Sequence, residues 1–381
     1  MAVTTTPVLD RFRRPAVVHD WLTIPGGSEK VVLELLKLLP GADVYTSVYE
    51  PANWGDAFAG HEVHASFLDR LPGARTQYPK LLPLMNRAFE SFDLADHDLV
   101  VSSSHSCAKN VLTGPDTLHL CYCHTPMRHA WEPRYLQGEP MSAPARLAAR
   151  ALMPRLRRED LAGAARPDVY VANSAFVARR IAKYYRRPAE VVHPPVEIDR
   201  HLERARDPQD YYLVLGRVVP YKRVDLAVAA CAKLGRRVKV VGTGRALDAA
   251  RAAAGPGAEF LGFVPDEELG GLLAGARALL FPGAEDFGIV PVEAQAAGVP
   301  VIAYGVAGVL DSVVDGRTGV FCHEQTADAL AAAILAFEEQ ELDEEAIRDN
   351  ARRFAPERFL ARMAELLASA PATVDDRIEI S

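Results

Sequence analysis

A chain of 381 residues is too long for one ordinary hydrophobic core and comfortable for two. With 49% of its residues apolar, 24% charged and a net charge of −7, it has the balance of a soluble globular enzyme and nothing of a nucleic-acid-binding protein. No apolar run approaches the roughly 18–20 residues that cross a bilayer, and Met1–Arg14 lacks the apolar core of a secretory signal. The expected location is the cytoplasm. Five scattered cysteines make no disulfide framework. Charge is unevenly shared: residues 1–205 carry 25 Lys and Arg against 23 Asp and Glu, and residues 206–381 carry 18 against 27. Two domains with different work would show such a division.

In chain order, short β-branched runs alternate with longer helical patterns. Ala16–Val18 predicts a strand, followed by a glycine turn and a helix over Ser28–Leu39. Val44–Val48, Leu99–Ser102, Leu118–Tyr122 and Val169–Ala172 predict further buried strands. A second series runs through Tyr211–Leu215, Arg237–Val241, Glu259–Leu261, Ala278–Phe281 and Val299–Ala303. Strands spaced by helices imply parallel sheets covered on both faces, so the expectation is α/β, with two doubly wound Rossmann-like domains. The polar, proline-bearing stretch 194–210 is the expected boundary, giving domains 1–205 and 206–355 and a closing segment 356–381 whose helix can pack back on the first domain.

Several segments place chemistry at strand ends. Ile24-Pro-Gly-Gly-Ser-Glu29 joins the first strand to its helix; Gly26 and Gly27 permit close backbone approach, and Ser28 is the expected helix cap. Asp96-His-Asp98 has the look of a metal-holding pair, but it precedes a strand and so sits at the amino end of the sheet, where ligands do not bind. Cys121-Tyr-Cys-His-Thr-Pro-Met-Arg128 ends a strand with His124 emerging at its carboxyl end. A metal site on Cys121, Cys123 and His124 lacks a second ligand pair, and adjacent strand residues face opposite ways; cysteines filling a buried strand account better for the run. Arg146, Arg150, Arg155, Arg157 and Arg158 share a helix with Leu147, Leu152 and Leu156, a pattern of either a solvated face or a surface resting on anionic membrane.

Two segments are stronger. In Leu215-Gly-Arg-Val-Val-Pro-Tyr-Lys-Arg-Val-Asp225, a strand ends at a glycine, and Arg217 and Lys222 stand where two cations suit a departing diphosphate. In Phe281-Pro-Gly-Ala-Glu-Asp-Phe-Gly-Ile-Val-Pro-Val-Glu293, a strand gives way to a glycine loop and a helix starting near Ile289, with Pro291 in its first turn and Gly298 past its end. The amides of Phe287, Gly288 and Ile289 would form a helix N-terminus that attracts phosphate or sugar oxygens. Glu285 and Glu293 flank them, and Glu293 lies in a nearly uncharged helix, where a carboxylate is expensive without a partner. Val241-Gly-Thr-Gly-Arg-Ala-Leu247 does not complete the Gly-x-Gly-x-x-Gly dinucleotide fingerprint, which removes the main support for a nicotinamide enzyme.

Taken together, these segments resemble glycosyltransferase family 4, retaining enzymes of the GT-B fold, over roughly residues 15–365. The resemblance rests on Glu285 and Glu293, on Arg217 with Lys222, on Gly26-Gly27 and on His124-Thr-Pro; within the family the wording is similar to bacterial GDP-mannose-dependent mannosyltransferases. It implies two Rossmann-like domains facing a cleft, the first binding the acceptor and the second a nucleotide-sugar. Glu293 would then hold the ribose hydroxyls and Glu285 the sugar's. The base would lie near Phe263 and Val264 with Gly242 allowing close approach, and Arg217 and Lys222 would stabilise the diphosphate, the task metals perform elsewhere. Gly26, Gly27 and His124 would face the acceptor, with Gly27 and His124 also close to the donor. The implied reaction is a metal-independent front-face transfer of a hexose, without a resident cofactor, to a carbohydrate, a lipid-linked glycan or a small molecule, with no nucleic-acid partner, in polysaccharide biosynthesis in the cytoplasm or at the inner face of the membrane. A UDP-sugar or an ADP- or GDP-heptose as donor, and an inactive homologue serving glycan assembly, are the alternatives.

Overall fold

The computed structural model of the protein describes residues 11–133, 135 and 141–370. The chain divides into two compact units, Met1–Pro195 with Pro356–Ser381, and Val196–Ala355. The division at Pro195/Val196 falls earlier than the expected 205/206. The polar stretch after His193 starts the second unit: Val196 and Ile198 bury in a cluster with Phe287, Val292 and Phe354. Residues 1–10 and 371–381, named above in the segments Met1–Arg14 and 356–381, lie outside the described residues. No helix among the described residues is long and apolar enough to cross a membrane.

The first unit is a parallel sheet ordered β3-β2-β1-β4-β5-β6-β7. Its strands are β1 (Pro15–His19), β2 (Asp43–Thr46), β3 (Val63–Ala65), β4 (Leu99–Ser104), β5 (Leu118–Cys123), β6 (Val169–Ala172) and β7 (Glu190–Val191). Among its helices are α1 (Gly27–Leu38), α2 (Leu82–Glu90), α3 (Ala143–Gly163) and α4 (Ala175–Tyr184). β1, β4 and β5 are buried throughout, which is why they read as unbroken apolar runs rather than alternating ones. The second unit repeats the plan in the order β10-β9-β8-β11-β12-β13, with β8 (Tyr212–Leu215), β9 (Val238–Val241), β10 (Ala258–Gly262), β11 (Leu279–Phe281), β12 (Val301–Tyr304) and β13 (Gly319–Cys322). Its helices include α5 (Val224–Leu234), α6 (Asp266–Ala274), α7 (Ile289–Ala296), α8 (Ala327–Glu338) and α9 (Glu344–Arg352). The last helix, α10 (Pro356–Ser369), rejoins the first unit, where Phe359, Leu360, Met363 and Leu367 bury with Val31, Leu35 and Tyr122.

In each sheet the strand order reverses once, between β1 and β4 and between β8 and β11. Connections leave the sheet in opposite directions there, opening a crevice at the carboxyl ends of the strands. The fold therefore marks two places for chemistry before any side chain is considered.

One core polar group sets a pH limit on the first unit. His119 on β5 is fully buried, with Nε2 2.8 Å from Ser102 Oγ and Nδ1 without a partner among the described residues. Burial, helped by Arg166, lowers its pKa to about 3. Free histidine titrates near 6.5, so as pH falls below that value the unfolded chain takes up a proton that the folded one refuses, and stability drains away toward pH 3. We expect a loss of about 2 kcal/mol by pH 5 from this group. All three tryptophans, Trp21, Trp54 and Trp131, lie in the first unit, so urea unfolding followed by their fluorescence at pH 7.5 and 5 reads it. His119→Gln should make the dependence shallower by about that amount, the share of His124, another buried histidine of this unit, remaining; an unchanged slope would assign it elsewhere.

Candidate functional site

In the second unit, the crevice between β8 and β11 gathers the loops that follow both strands. Gly283 lets them meet: a Cβ there would stand 2.9 Å from Lys222 Cα. The Lys222 ammonium consequently lies 2.9 Å from Glu285 Oε1. Burial opposes the lysine's charge, but Glu285 outweighs it and holds the Lys222 pKa above the ordinary value, so the ammonium stays charged at neutral pH. The contact is not a well-directed hydrogen bond, and Glu285 Oε1 remains a buried acceptor with no donor aligned on it among the described residues. Such an atom is costly to leave unsatisfied and suits a ligand hydroxyl. Arg217 follows Gly216 at the end of β8, exposed, its side chain without a hydrogen bond or ion pair among the described residues.

The Glu285 loop runs into α7 through Gly288, whose φ of 90° is left-handed and closed to most side chains. Of the three residues expected to offer amides, Phe287 turns its ring inward, 3% exposed and edge-on to Phe354 at 5.4 Å. That anchor aims the helix start. The N–H groups of Gly288 and Ile289 donate to no group among the described residues, leaving an N-terminus able to take an anionic oxygen. Glu293, one turn on, is 8% exposed. Its cation is Arg200, with Nη2 3.9 Å from Glu293 Oε1 and Nη1 2.7 Å from Asp266.

Gly242, at the end of β9, has φ 127°, and a Cβ on it would sit 2.0 Å from the Gly216 carbonyl oxygen. Its N–H donates to Gly262 O at 2.6 Å. The turn after β10 then presents Phe263, 82% exposed, with Val264 half-buried beside it. A solvent-facing phenyl ring costs apolar hydration and offers a stacking face.

In the first unit, the β1/β4 crevice holds a cluster that the sequence reading finds only in part. His124, at the end of β5, has Nε2 2.8 Å from Ser103 Oγ, and its ring centroid lies 6.5 Å from that of His19 and 6.3 Å from that of His105. Burial, with the neighbouring His105 and His19, lowers its pKa to about 3, so the imidazole is neutral at pH 7. Asp20, fully buried, accepts the backbone N–H groups of His105, Ser106, Cys107 and Ala108 and lies 3.1 Å from His105 Nδ1. His19 Nε2 is 3.4 Å from Glu29 Oε1. Burial alone would raise Glu29, but His19 overrides it and the carboxyl is held down to about 2. Gly26 is extended, φ −156°, and serves room rather than rotation: a Cβ would stand 2.8 Å from Glu29 Oε2. The helix begins at Gly27 with Gly26 as its cap, so Ser28 does not cap it; its hydroxyl donates to Glu29 Oε2 at 2.9 Å.

His19, Asp20, Glu29, His105 and Arg200 are the residues that sequence reasoning misses. Two left a trace: His19-Asp20 directly follows an apolar strand, and Glu29 is a charge on the inward face of α1. Asp98 accepts the backbone N–H groups of Arg13 and Arg14 at the amino end of the first sheet. Cys121 and Cys123 are buried free thiols. Among the described residues the group close enough to share a cation is Asp43, Glu62 and His64, at the starts of β2 and β3, also at the amino end.

Comparison with known proteins agrees with this architecture. Residues 25–200 match the family model described as Glycosyltransferase Family 4, and residues 196–354 that described as Glycosyl transferases group 1. A D-inositol 3-phosphate glycosyltransferase of Geodermatophilus obscurus is 34% identical over 205 residues, 45% of this chain; the match spans 46%, about half, of that protein. Among solved structures, Anabaena Alr3699/HepE in complex with UDP superposes with a TM-score of 0.68 at 17% identity, covering 93% of this chain and 100% of that one. The lipopolysaccharide outer core galactosyltransferase WaaB in its apo form gives 0.65 at 15%, covering 93% and 98%. At such identities the likeness is one of fold, here GT-B. The two domain families run in succession from residue 25 to 354, and together they support a glycosyltransferase of the family 4 type.

Proposed function

We propose that the protein transfers a hexosyl group from a nucleoside diphosphate sugar, GDP-mannose before others, to an acceptor hydroxyl, with retention and without a metal. The observation that carries this is Lys222 and Glu285 held 2.9 Å apart at the β8/β11 crevice, a cation for a diphosphate beside an acceptor for sugar hydroxyls. Arg217 adds a second, uncommitted charge, and the Gly288 and Ile289 amides receive phosphate or sugar oxygens. Glu293 takes the ribose, and Phe263 with Val264 lies against the base across the close backbone at Gly242. In the reaction the C1–O bond to the diphosphate breaks as the acceptor oxygen adds on the same face, and the leaving phosphate oxygen takes the acceptor's proton. Two cations stabilise the departing dianion most when the bond is breaking. His124, neutral and placed by Ser103, serves the acceptor side as a hydrogen-bonding group, with Gly26 and Gly27 beside it.

A second reading, a UDP-hexose donor, is favoured by the UDP and UDP-glucose complexes of HepE. Purified protein incubated with GDP-mannose, UDP-glucose and ADP- or GDP-heptose separates the readings by the nucleoside diphosphate released. GDP from GDP-mannose is expected. Release of UDP alone would replace the mannosyl assignment, and release from no donor, with or without added glycan acceptors, would overturn transfer itself.

A further inference from the structure

The first unit contains a cavity of about 170 Å³ lined by His129, Pro133, Arg146, Arg150, Met153, Pro154 and Arg157. All of these residues come from the segment after β5 and from α3, and none belongs to the donor loops of the second unit. It is large enough for several waters or one small anion. Three of its lining residues are arginines, and none pairs with a carboxylate among the described residues. Arg157 donates to Ala130 O at 2.9 Å and lies over the Trp131 ring. Arg146 donates to Met141 O at 3.3 Å, while its Nε is buried with no partner among the described residues. Arg150 makes no hydrogen bond or ion pair there. The contrast with Arg155 is direct: one turn away it points outward and pairs with Glu159 at 2.7 Å.

Three cations gathered without a counter-ion repel one another, and a buried donor without an acceptor adds to the cost. Both penalties vanish when a multivalent oxyanion enters. The fork of arginine matches phosphate oxygens in pairs, and the apolar wall of Pro133, Met153 and Pro154 admits a carbon body attached to the phosphate. We propose that this cavity binds the phosphoryl group of a phosphate ester. The site goes beyond the transfer reaction inferred above and does not depend on which donor is used. Its ligand could be soluble or could project from a bilayer, since Leu147 on the same helix is 71% exposed.

Calorimetric titration with glycerol 3-phosphate, and sedimentation with phosphatidylcholine vesicles containing or lacking phosphatidic acid, tests the assignment on the full chain. Saturable binding of one or both is expected, weakened roughly tenfold or more by Arg150→Gln and by Arg146→Gln. Arg158→Gln, an exposed arginine of α3 outside the cavity, should leave it unchanged. Arginine-dependent binding of the soluble ester places the ligand in solution; arginine-dependent binding of the vesicles alone makes it a lipid headgroup. Binding that ignores Arg146→Gln and Arg150→Gln, or that falls equally with Arg158→Gln, or no binding of either probe, overturns the proposal. Because no turnover is measured, failure here leaves the glycosyl-transfer reading intact, and failure of that reading leaves this one intact.

Discussion

Lys222→Ala should lower kcat by roughly 10²–10³ while weakening nucleoside diphosphate binding far less, because the charge is needed most when the glycosidic bond breaks and the terminal phosphate of the diphosphate gains its second negative charge. Steady-state kinetics with whichever donor the nucleotide screen selects, paired with calorimetry of the free diphosphate, reads the two effects separately. The substitution has a second consequence to be kept apart from the first: it strands Glu285, whose side chain is 17% exposed and whose Oε1 has no other aligned donor among the described residues. A carboxylate left without its cation distorts the loop or takes up a proton. The double variant Lys222→Ala/Glu285→Gln, which removes the stranded charge but keeps an acceptor oxygen for the sugar hydroxyls, distinguishes these. If stranded charge caused the loss, the second substitution would restore part of kcat; if Lys222 acts on the diphosphate, it restores none. Equal losses in kcat and in diphosphate affinity would reduce Lys222 to a binding group.

These two residues were legible in the sequence because each stands a few positions beyond a glycine that ends a buried strand, and strand ends are where a doubly wound sheet puts its ligands. Proximity in the fold thus followed from a local pattern repeated twice. The cluster in the first unit was not legible for the opposite reason. Asp20 meets the amides of residues 105–108, more than eighty positions away, through the β1–β4 pairing, and nothing local in either segment announces the other. Arg200 was hidden differently: it lies in a polar stretch that reads as a linker, and its partner Glu293 becomes visible only when the second unit begins at Val196. Among the strands, β3 and β7 went unread because they are edge strands of three and two residues, partly exposed, and an apolar run is the signature of central strands only. β13 begins on Gly319, where a Cβ would sit 2.0 Å from Val301 O; the close backbone approach that makes it a strand also removes the β-branched residue that would have marked one.

Arg348→Ala should cost the second unit about 3 kcal/mol or more and lower its melting temperature by roughly 6–12 °C. The guanidinium, in a residue only 6% exposed, donates to five carbonyl oxygens: Ala296 at 2.7 Å and Ala297 at 3.2 Å at the end of α7, and His201, Leu202 and Arg204 at 3.3, 3.1 and 2.9 Å. Glu344 on α9 balances its charge at 2.8 Å. A cation at a helix C-terminus is favourable in itself, but the larger effect is that truncation would leave several buried acceptors without a donor. The same change should reach the ligand. Arg348 fixes the far end of the helix whose near end carries the Gly288 and Ile289 amides, and it ties down the stretch 201–204 that adjoins Arg200, the partner of Glu293. Donor affinity should therefore fall together with stability, although Arg348 lies at the opposite end of α7 from those amides. The first unit holds every tryptophan, so its fluorescence transition should stay in place while calorimetry shows the other transition moving down. Arg348→Lys, which keeps the charge but not the fork, should recover only part of the loss. Unchanged melting in Arg348→Ala would mean that these carbonyls find other donors and that the helix needs no such anchor.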